Sequence, residues 1–126
     1  MDQPLPLGPI GQISRSVRNV DEALAWYRDV LGLPLLYNFP GMAFFDLGGT
    51  RLYLQEEAEP GPQSILYFAV SDIAAVHAGL VARGVRFSNP PHLVHRHETG
   101  VEEWMAFFVD PEERPLALMM RRSGEG

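Results

Sequence analysis

The sequence of 126 residues contains no cysteine. It therefore cannot form a disulfide, present a thiolate nucleophile or bind a metal through cysteine. No apolar stretch approaches the roughly 20 residues that a membrane-spanning helix requires, so no membrane partner is expected. Positive charge is scarce: ten basic residues, all arginine, stand against sixteen acidic residues, which gives a net charge of −6. Because nucleic-acid-binding proteins usually carry basic patches, no nucleic-acid partner is expected either.

The remaining composition is typical of a small globular protein. Hydrophobic residues make up 46% of the chain and charged residues 21%. A chain of this length can bury about two-thirds of its unfolded surface, and we expect a single domain over residues 1–126. The N-terminal MDQPLPLGP lacks the basic start and apolar run of a signal peptide, which favours a cytoplasmic location.

Residues 10–36 predict a strand, a helix and a second strand. Small or polar residues alternate with larger ones over 10–17, which is typical of a strand. Apolar residues then recur at helical spacing over 20–31. Asn19 is a suitable N-cap for this helix, and Gly32 is a suitable residue to end it.

The same pattern returns in the second half of the chain. A strand at 65–70, a helix at 72–83 and a stop at Gly84 follow one another at nearly the spacing of the first half. Downstream, DLGGTRLYLQ aligns without a gap with DPEERPLALM. We therefore predict an α+β fold of two tandem βαβββ modules. The predicted bounds are about 8–56 for module 1, 57–64 for the linker, about 65–121 for module 2 and 122–126 for the tail. The remaining strands are expected at 33–39, 42–47, 51–55, 85–94, 103–109 and 116–121. A polar loop is expected at 95–100.

Three stretches carry a resemblance to a known family. They are VD…WYRDVLGL in the first helix, DLGG in the first module, and WMAFFVDP near the end; the resemblance covers roughly residues 8–121. On these motifs the chain resembles the vicinal oxygen chelate superfamily, which includes glyoxalase I, bleomycin-resistance proteins, fosfomycin-resistance enzymes, extradiol dioxygenases and methylmalonyl-CoA epimerase. The resemblance implies that each module curls a mixed sheet into half a cup, with its helix on the convex face. One departure is that Asp110-Pro111 leads to Glu112-Glu113-Arg114, where relatives usually have an acidic residue, glycine and asparagine.

The resemblance also implies a divalent metal held by four side chains, one from the first and one from the last strand of each module. Carried onto this sequence, the four positions are Gln12, Tyr53, Ile65 and Ala117. Catalytic metal sites generally need three protein donors, usually imidazole or carboxylate. Two of these positions carry no donor atom, and a phenol and a neutral amide are poor replacements. We predict that these positions are vacated and that no cofactor is bound, with a divalent metal as the alternative.

Four histidines remain as candidate catalytic or ligating groups. His77 lies on the apolar face of the second helix and is expected to be structural. His92, His95 and His97 cluster in the sequence beside Glu98, Glu102 and Glu103. If their strand continues, His95 and His97 point the same way, like a pair of metal ligands; in a polar loop they would have no such role. His92 lies at the expected rim of the cup and is the candidate catalytic residue, as a general acid–base or a hydrogen-bond donor.

Alternation along the strands predicts which residues line the cup. If Leu52 and Leu54 face the helix, Tyr53 and its alternate neighbours face the cup. The predicted ligand-binding residues are Gln12, Ser14, Tyr53, Tyr67, His92, Trp104 and Met119, with Phe44 or Phe45 and Phe107 beside them. An apolar, aromatic wall with a few polar groups is typical of a small-molecule pocket. The alternative is that these aromatic side chains only pack the core.

The sequence thus predicts a protein that binds a small organic molecule in an aromatic-lined cup without the usual metal. One alternative is a metal-dependent lyase, isomerase or dioxygenase with ligands such as His92, His95 or Glu103. Another is a drug-sequestering protein like the bleomycin-resistance group. No reaction type is favoured, and if the protein is an enzyme, the resemblance implies glyoxalase-type lyase or isomerase chemistry, or a dioxygenase-like reaction. Because curled sheets leave open edges that two-fold pairing commonly covers, we also predict a homodimer.

Overall fold

The computed structural model describes residues 9–62 and 64–123. The predicted start of module 1 at residue 8 and the end of the predicted tail, 124–126, lie outside the described residues. Contacts within the chain divide it into two compact units, and the boundary falls between Gly61 and Pro62, inside the predicted linker. In the described part of the chain, no helix is long and apolar enough to cross a membrane.

The first unit is a helix and a four-stranded sheet. Its elements are β1 (Gln12–Val17), α1 (Val20–Asp29), β2 (Leu35–Phe39), β3 (Met42–Asp46) and β4 (Arg51–Glu56). The strand order is β1-β4-β3-β2. β1 and β4 are parallel, whereas the other neighbouring strands are antiparallel and joined by short turns.

The second unit repeats this arrangement. Its elements are β5 (Leu66–Ala69), α2 (Ile73–Ala82), β6 (Phe87–Arg96), β7 (Glu102–Val109) and β8 (Pro115–Arg122). The strand order is β5-β8-β7-β6, with β5 and β8 parallel. The two units share one topology, and the predicted α+β fold of two tandem βαβββ modules is confirmed.

Both helices begin at a capping side chain. Asn19 and Asp72 each accept a hydrogen bond from the backbone amide three residues later, at 3.0 Å in both cases, and so satisfy a donor that the first helical turn leaves open. α1 ends at Asp29, two residues before the predicted end, because Val30 is already its C-cap. Gly32 then adopts a φ of 74°, the left-handed conformation in which glycine turns a chain away from a helix.

Each helix covers one face of its own sheet. In the first unit Leu52 and Leu54 are fully buried, and the ring of Phe45 lies 6.0 Å from the ring of Tyr27 in α1. The buried hydrophobic residues on the helix-facing side of the second sheet and on its helix are Leu66, Ile73, Leu80, Ala106, Phe108, Leu116, Leu118 and Met120. Since successive side chains of a strand point to opposite faces, the intervening residues form a face turned away from the helix in each unit.

The predicted polar loop at 95–100 starts two residues too early. β6 runs from Phe87 to Arg96, so the loop begins at His97. Pro90 and Pro91 lie within this strand, which is possible because β6 is an edge strand and its pairing with β7 shifts between Asn89 and His92. The other predicted strand ends differ from the observed ones by at most two residues.

The turn between β7 and β8 holds a glutamate where the resembling family has glycine. The Asp110 Oδ1 atom accepts hydrogen bonds from the backbone amides of Glu112 and Arg114, each at 2.8 Å. Glu113 has a φ of 63° and is the only residue other than glycine with a positive φ among those described. The turn therefore keeps a conformation that suits glycine and that costs another residue about 1–2 kcal/mol.

Candidate functional site

The face of the first sheet that is turned away from α1 is rich in aromatic rings, and we call it the aromatic face. Its members are Gln12, Ser14, Ser16, Tyr37, Phe39, Met42, Phe44, Asp46, Arg51, Tyr53 and Gln55. The rings of Phe44 and Tyr53 are stacked, with centroids 4.6 Å apart and planes at 4°. On the other side of β3, the ring of Tyr37 in β2 lies 4.9 Å from the ring of Phe44, measured between centroids. Tyr37 and Phe39 remain 42% and 51% exposed, so the rings form an open surface.

Arg51 places a positive charge on the aromatic face. Its Nε atom donates to Gln12 Oε1 at 2.6 Å, and its Nη1 atom donates to the Tyr37 hydroxyl at 2.8 Å. The guanidinium carbon lies 5.4 Å from the centroid of the Phe44 ring, within the range of a cation–π contact. The guanidinium thus reaches from β4 across β3 to β2 and is held at both ends.

Three of the predicted site residues lie together on this face. β1 and β4 pair in parallel so that Gln12 lies opposite Arg51 and Ser14 opposite Tyr53. Within the described part of the first unit, neither the Ser14 hydroxyl nor the Tyr53 hydroxyl has a hydrogen-bond partner. These groups can therefore bond a ligand without first breaking a contact.

The four positions that the resemblance assigns to a metal do not fit one. Ile65 and Ala117 carry no donor atom, and Ala117 is fully buried. The oxygen of Gln12 already accepts a hydrogen bond from a cation, Arg51, whose charge opposes a second cation beside it. No three histidine, aspartate or glutamate side chains converge anywhere among the residues the structure describes. The chemistry of the donor set thus disagrees with a divalent ion at these positions.

The face of the second sheet turned away from α2, the second open face, brings together three further predicted residues. Its members include Tyr67, His92, Met105, Phe107, Ala117 and Met119. Tyr67 meets Phe107 edge-on, with centroids 6.1 Å apart, and His92 lies 6.2 Å from the same ring. Met119 is opposite Met105 in the sheet, which is in turn opposite His92.

The ring of His92 is oriented by a backbone carbonyl. Its Nδ1 atom lies 2.8 Å from the carbonyl oxygen of Pro90. Because a carbonyl oxygen only accepts hydrogen bonds, Nδ1 is the donor in this contact. Nε2 is then the ring nitrogen left for a hydrogen bond with a ligand.

Trp104 lies on the opposite face of the second sheet from Tyr67 and Met119. Its indole donates to Glu102 Oε1 at 3.0 Å, and the Arg122 guanidinium lies 4.6 Å above the ring. It lines a cavity of about 350 Å³ beside the first turn of α2, with Asp72 among the other lining residues. Trp104 and Phe107 are three positions apart in one strand, so they point to opposite faces. The structure does not bring Trp104 together with the other predicted ligand-binding residues.

Glu102, which the sequence marks only as a neighbour of the histidine cluster, is a buried carboxylate with three donors of its own. It accepts hydrogen bonds from Arg96, from the Trp104 indole and from Arg122 Nε, the last at 3.0 Å. These donors, Arg96 above all, lower the pKa of Glu102 from 4.5 to about 2. The alternation of β7 could have indicated its burial, because Glu102 is two residues before Trp104 and therefore faces the helix as Trp104 does.

The predicted histidine pair lies beside a second carboxylate. His97 Nε2 and Glu103 Oε2 are 2.6 Å apart, and Arg121 Nη2 lies 3.6 Å from the same oxygen. The hydrogen bond from His97 and the charge of Arg121 lower the pKa of Glu103. The rings of His95 and His97 meet edge-on at 4.5 Å. This cluster borders a cavity of about 510 Å³ lined by His97, Thr99, Val101, Arg121, Arg122 and Ser123.

His77 packs within the second unit. Its ring lies 4.5 Å from Phe87, edge-on, and so joins α2 to β6.

The fold places this chain in a class of proteins that consist of two tandem βαβββ modules. The chain belongs to the Glyoxalase/Bleomycin resistance protein/Dioxygenase superfamily, whose family model matches residues 9–113. Among solved structures, lactoylglutathione lyase from Agrobacterium tumefaciens superposes with a TM-score of 0.74 and 22% identity, over 92% of this chain and 96% of that chain. This likeness shows the fold.

Two curated relatives are similar in sequence. Metallothiol transferase FosB from Staphylococcus haemolyticus is 37% identical over 65 residues, which are 52% of this chain and 46% of that protein. The match thus spans about half the length of the transferase. The uncharacterized protein YraH from Bacillus subtilis is 29% identical over 127 residues, which cover 85% of this chain and 94% of that protein.

Proposed function

We propose that this protein binds a small organic molecule against the aromatic face of its first unit and does so without a divalent metal at the usual positions. The observation that carries the proposal is the row of open rings beside unbonded polar groups. Tyr37 and Phe39 are 42% and 51% exposed, and the Ser14 and Tyr53 hydroxyls lie on the same face. Exposed apolar patches with a few polar groups are typical of binding sites.

The direct test is ligand-observed NMR with a set of planar aromatic fragments. Phe39→Ala removes a half-exposed ring from the aromatic face, so we expect it to weaken binding of every fragment that the wild type binds. Val81→Ala is the matched control, because Val81 is 49% exposed but lies on α2. Equal loss of binding in both variants, or none in either, would contradict the proposal.

We also propose the second open face, which belongs to the other unit, as a separate binding surface with His92 as its candidate catalytic residue. The Nδ1 atom of His92 donates to the carbonyl of Pro90, which leaves Nε2 for a hydrogen bond with a ligand on this face. Tyr67 and Met119 supply the apolar part of that surface. If product forms from a bound molecule, His92→Asn should reduce turnover more than binding. If no product forms, the protein sequesters its ligand, as the bleomycin-resistance group does.

The similarity to a metallothiol transferase favours a metal-dependent reaction as the second candidate function. In this chain the ligands would have to come from residues such as His92, His95 or Glu103. Glu103 is already bonded to His97 and lies near Arg121, so a metal would have to displace these partners. This requirement is the reason for preferring the metal-free proposal.

Elemental analysis decides between the two candidates. Untagged protein would be purified without chelator and dialysed against Mn, Fe, Ni and Zn salts. Metal well below one equivalent is the expected result. A near-stoichiometric metal that is lost in His95→Gln would favour the metal-dependent alternative and identify the histidine cluster as its site.

A further inference from the structure

We propose that Arg51 binds the carboxylate of a planar aromatic ligand, with its guanidinium supplying positive charge beside Gln12, one of the positions that the resemblance assigns to a metal ligand. This inference rests on the proposed function, because it names the ligand class of the same aromatic face. It starts from a disagreement: two of the four expected metal positions lack donor atoms, and a third, Gln12, is bonded to Arg51.

The guanidinium of Arg51 is oriented but not saturated. An arginine has five N–H donors. One is used by Gln12 and one by Tyr37, which leaves one N–H on Nη1 and two on Nη2. One N–H from each of these two nitrogens can bond the two oxygens of a carboxylate in bidentate geometry. Because both ends of the group are already held, little further side-chain entropy is lost when a ligand binds.

The guanidinium of Arg51 forms no ion pair with a carboxylate in the described part of its unit, although Asp46 is its cross-strand neighbour on the same face. The Oδ1 atom of Asp46 accepts a hydrogen bond from the Gly49 amide in the adjoining turn, at 3.0 Å. In a chain with a net charge of −6, this face therefore offers a cation that suits an anion.

The surroundings of the guanidinium favour an aromatic acid over a polar anion. Arg51 lies 5.4 Å from the Phe44 centroid, and Phe44 is stacked on Tyr53. A ligand ring can stack on the exposed rings of Tyr37 or Phe39 while its carboxylate reaches the free N–H groups. Aromatic rings gain from offset stacking beyond their apolar area. A free inorganic anion would use only the charge and none of this surface.

Isothermal titration calorimetry with two matched probes tests the inference. The probes are 2-naphthoate and its neutral analogue 2-naphthamide, which have nearly the same shape. The wild type should bind 2-naphthoate with a dissociation constant of about 0.1–1 mM, as expected for so small a ligand, and about tenfold more tightly than 2-naphthamide. Arg51→Gln should abolish this preference. Arg51→Lys should retain about a threefold preference, because an ammonium group keeps the positive charge but lacks the paired N–H donors that bond both carboxylate oxygens.

Arg86→Gln is the matched control. It removes one positive charge from an exposed residue of the second unit and should leave the tenfold preference unchanged. If Arg86→Gln lost as much of the preference as Arg51→Gln, the preference would come from the net charge of the protein and not from a direct contact with Arg51. That result would overturn the inference. Equal binding of the two probes by the wild type would overturn the inference alone. Absence of binding by both probes at about 5 mM would contradict the proposed function and this inference together.

Discussion

Neighbouring residues on opposite faces of β4 provide the sharpest test of the aromatic face as a binding surface. Leu52 points towards α1 and is fully buried, whereas Tyr53 points away from it and stacks on Phe44. Each is replaced by alanine. If the aromatic side chains only packed the core, both substitutions would destabilise the fold strongly. If Tyr53 serves a ligand, its loss should affect binding far more than stability.

The expected losses of stability differ between the two variants. Leu52→Ala removes a fully buried side chain and leaves a cavity, which costs about 3 kcal/mol within the usual range of about 2–5. Tyr53→Ala loses the stacking with Phe44, worth about 1 kcal/mol, and the burial of the covered part of a half-exposed ring, worth about 1 kcal/mol more. At about 4 °C per kcal/mol, the thermal midpoint should fall by about 12 °C for Leu52→Ala and about 8 °C for Tyr53→Ala.

Calorimetric melting and probe titration together make the assay. Well below its melting temperature, Leu52→Ala should still bind the aromatic probes, while Tyr53→Ala should not. A fall in the thermal midpoint for Tyr53→Ala equal to that for Leu52→Ala would show that Tyr53 is a core residue. Unchanged probe binding in Tyr53→Ala would refute its role in the face even if the stability values agree.

Three further predictions concern other parts of the chain. Because the folded-state pKa of Glu102, about 2, lies below the ordinary 4.5, the wild type should be more stable than Glu102→Gln above pH 4.5 and should lose this advantage as the pH falls towards 2. A difference in urea midpoint that does not change with pH would contradict this. Glu113→Gly relieves a φ of 63° and should raise the free energy of unfolding by about 0.5–1 kcal/mol; an unchanged or lower thermal midpoint would mean that the turn stores no strain. Light scattering at micromolar concentration should give twice the 14.1 kDa of the chain, and a monomer would refute the predicted homodimer.

The fold was predictable because its signals are local and repeated. The helical spacing over 20–31, the cap residue Asn19 and the alternation in β4 each depend on a few consecutive residues. Their recurrence in the second half then gave the tandem topology. Helix and strand ends differ by up to two residues because caps and edge pairing, rather than spacing, decide where an element stops.

The site was predictable only in part. Gln12, Ser14 and Tyr53 do lie on one face, since strand parity and a short parallel pairing place them there. Trp104 does not lie with Tyr67 and Met119. Trp104 and Phe107 are three residues apart in one strand, and in a regular strand that separation puts them on opposite faces. Residue type alone does not show which face of a strand a side chain occupies, whereas its position in the alternation does.

The sequence by itself determined the repeat, the alternation of each strand and the lack of metal donors at the expected positions. It did so because these properties depend on residue type and local spacing. Only the tertiary structure decided what Arg51 does. Its partners Gln12 and Tyr37 are 39 and 14 residues away, and they meet it because β4 lies between β1 and β3, with β2 beyond. Strand order and register are set by which faces are buried under the helices, and no local pattern encodes contacts between such distant segments.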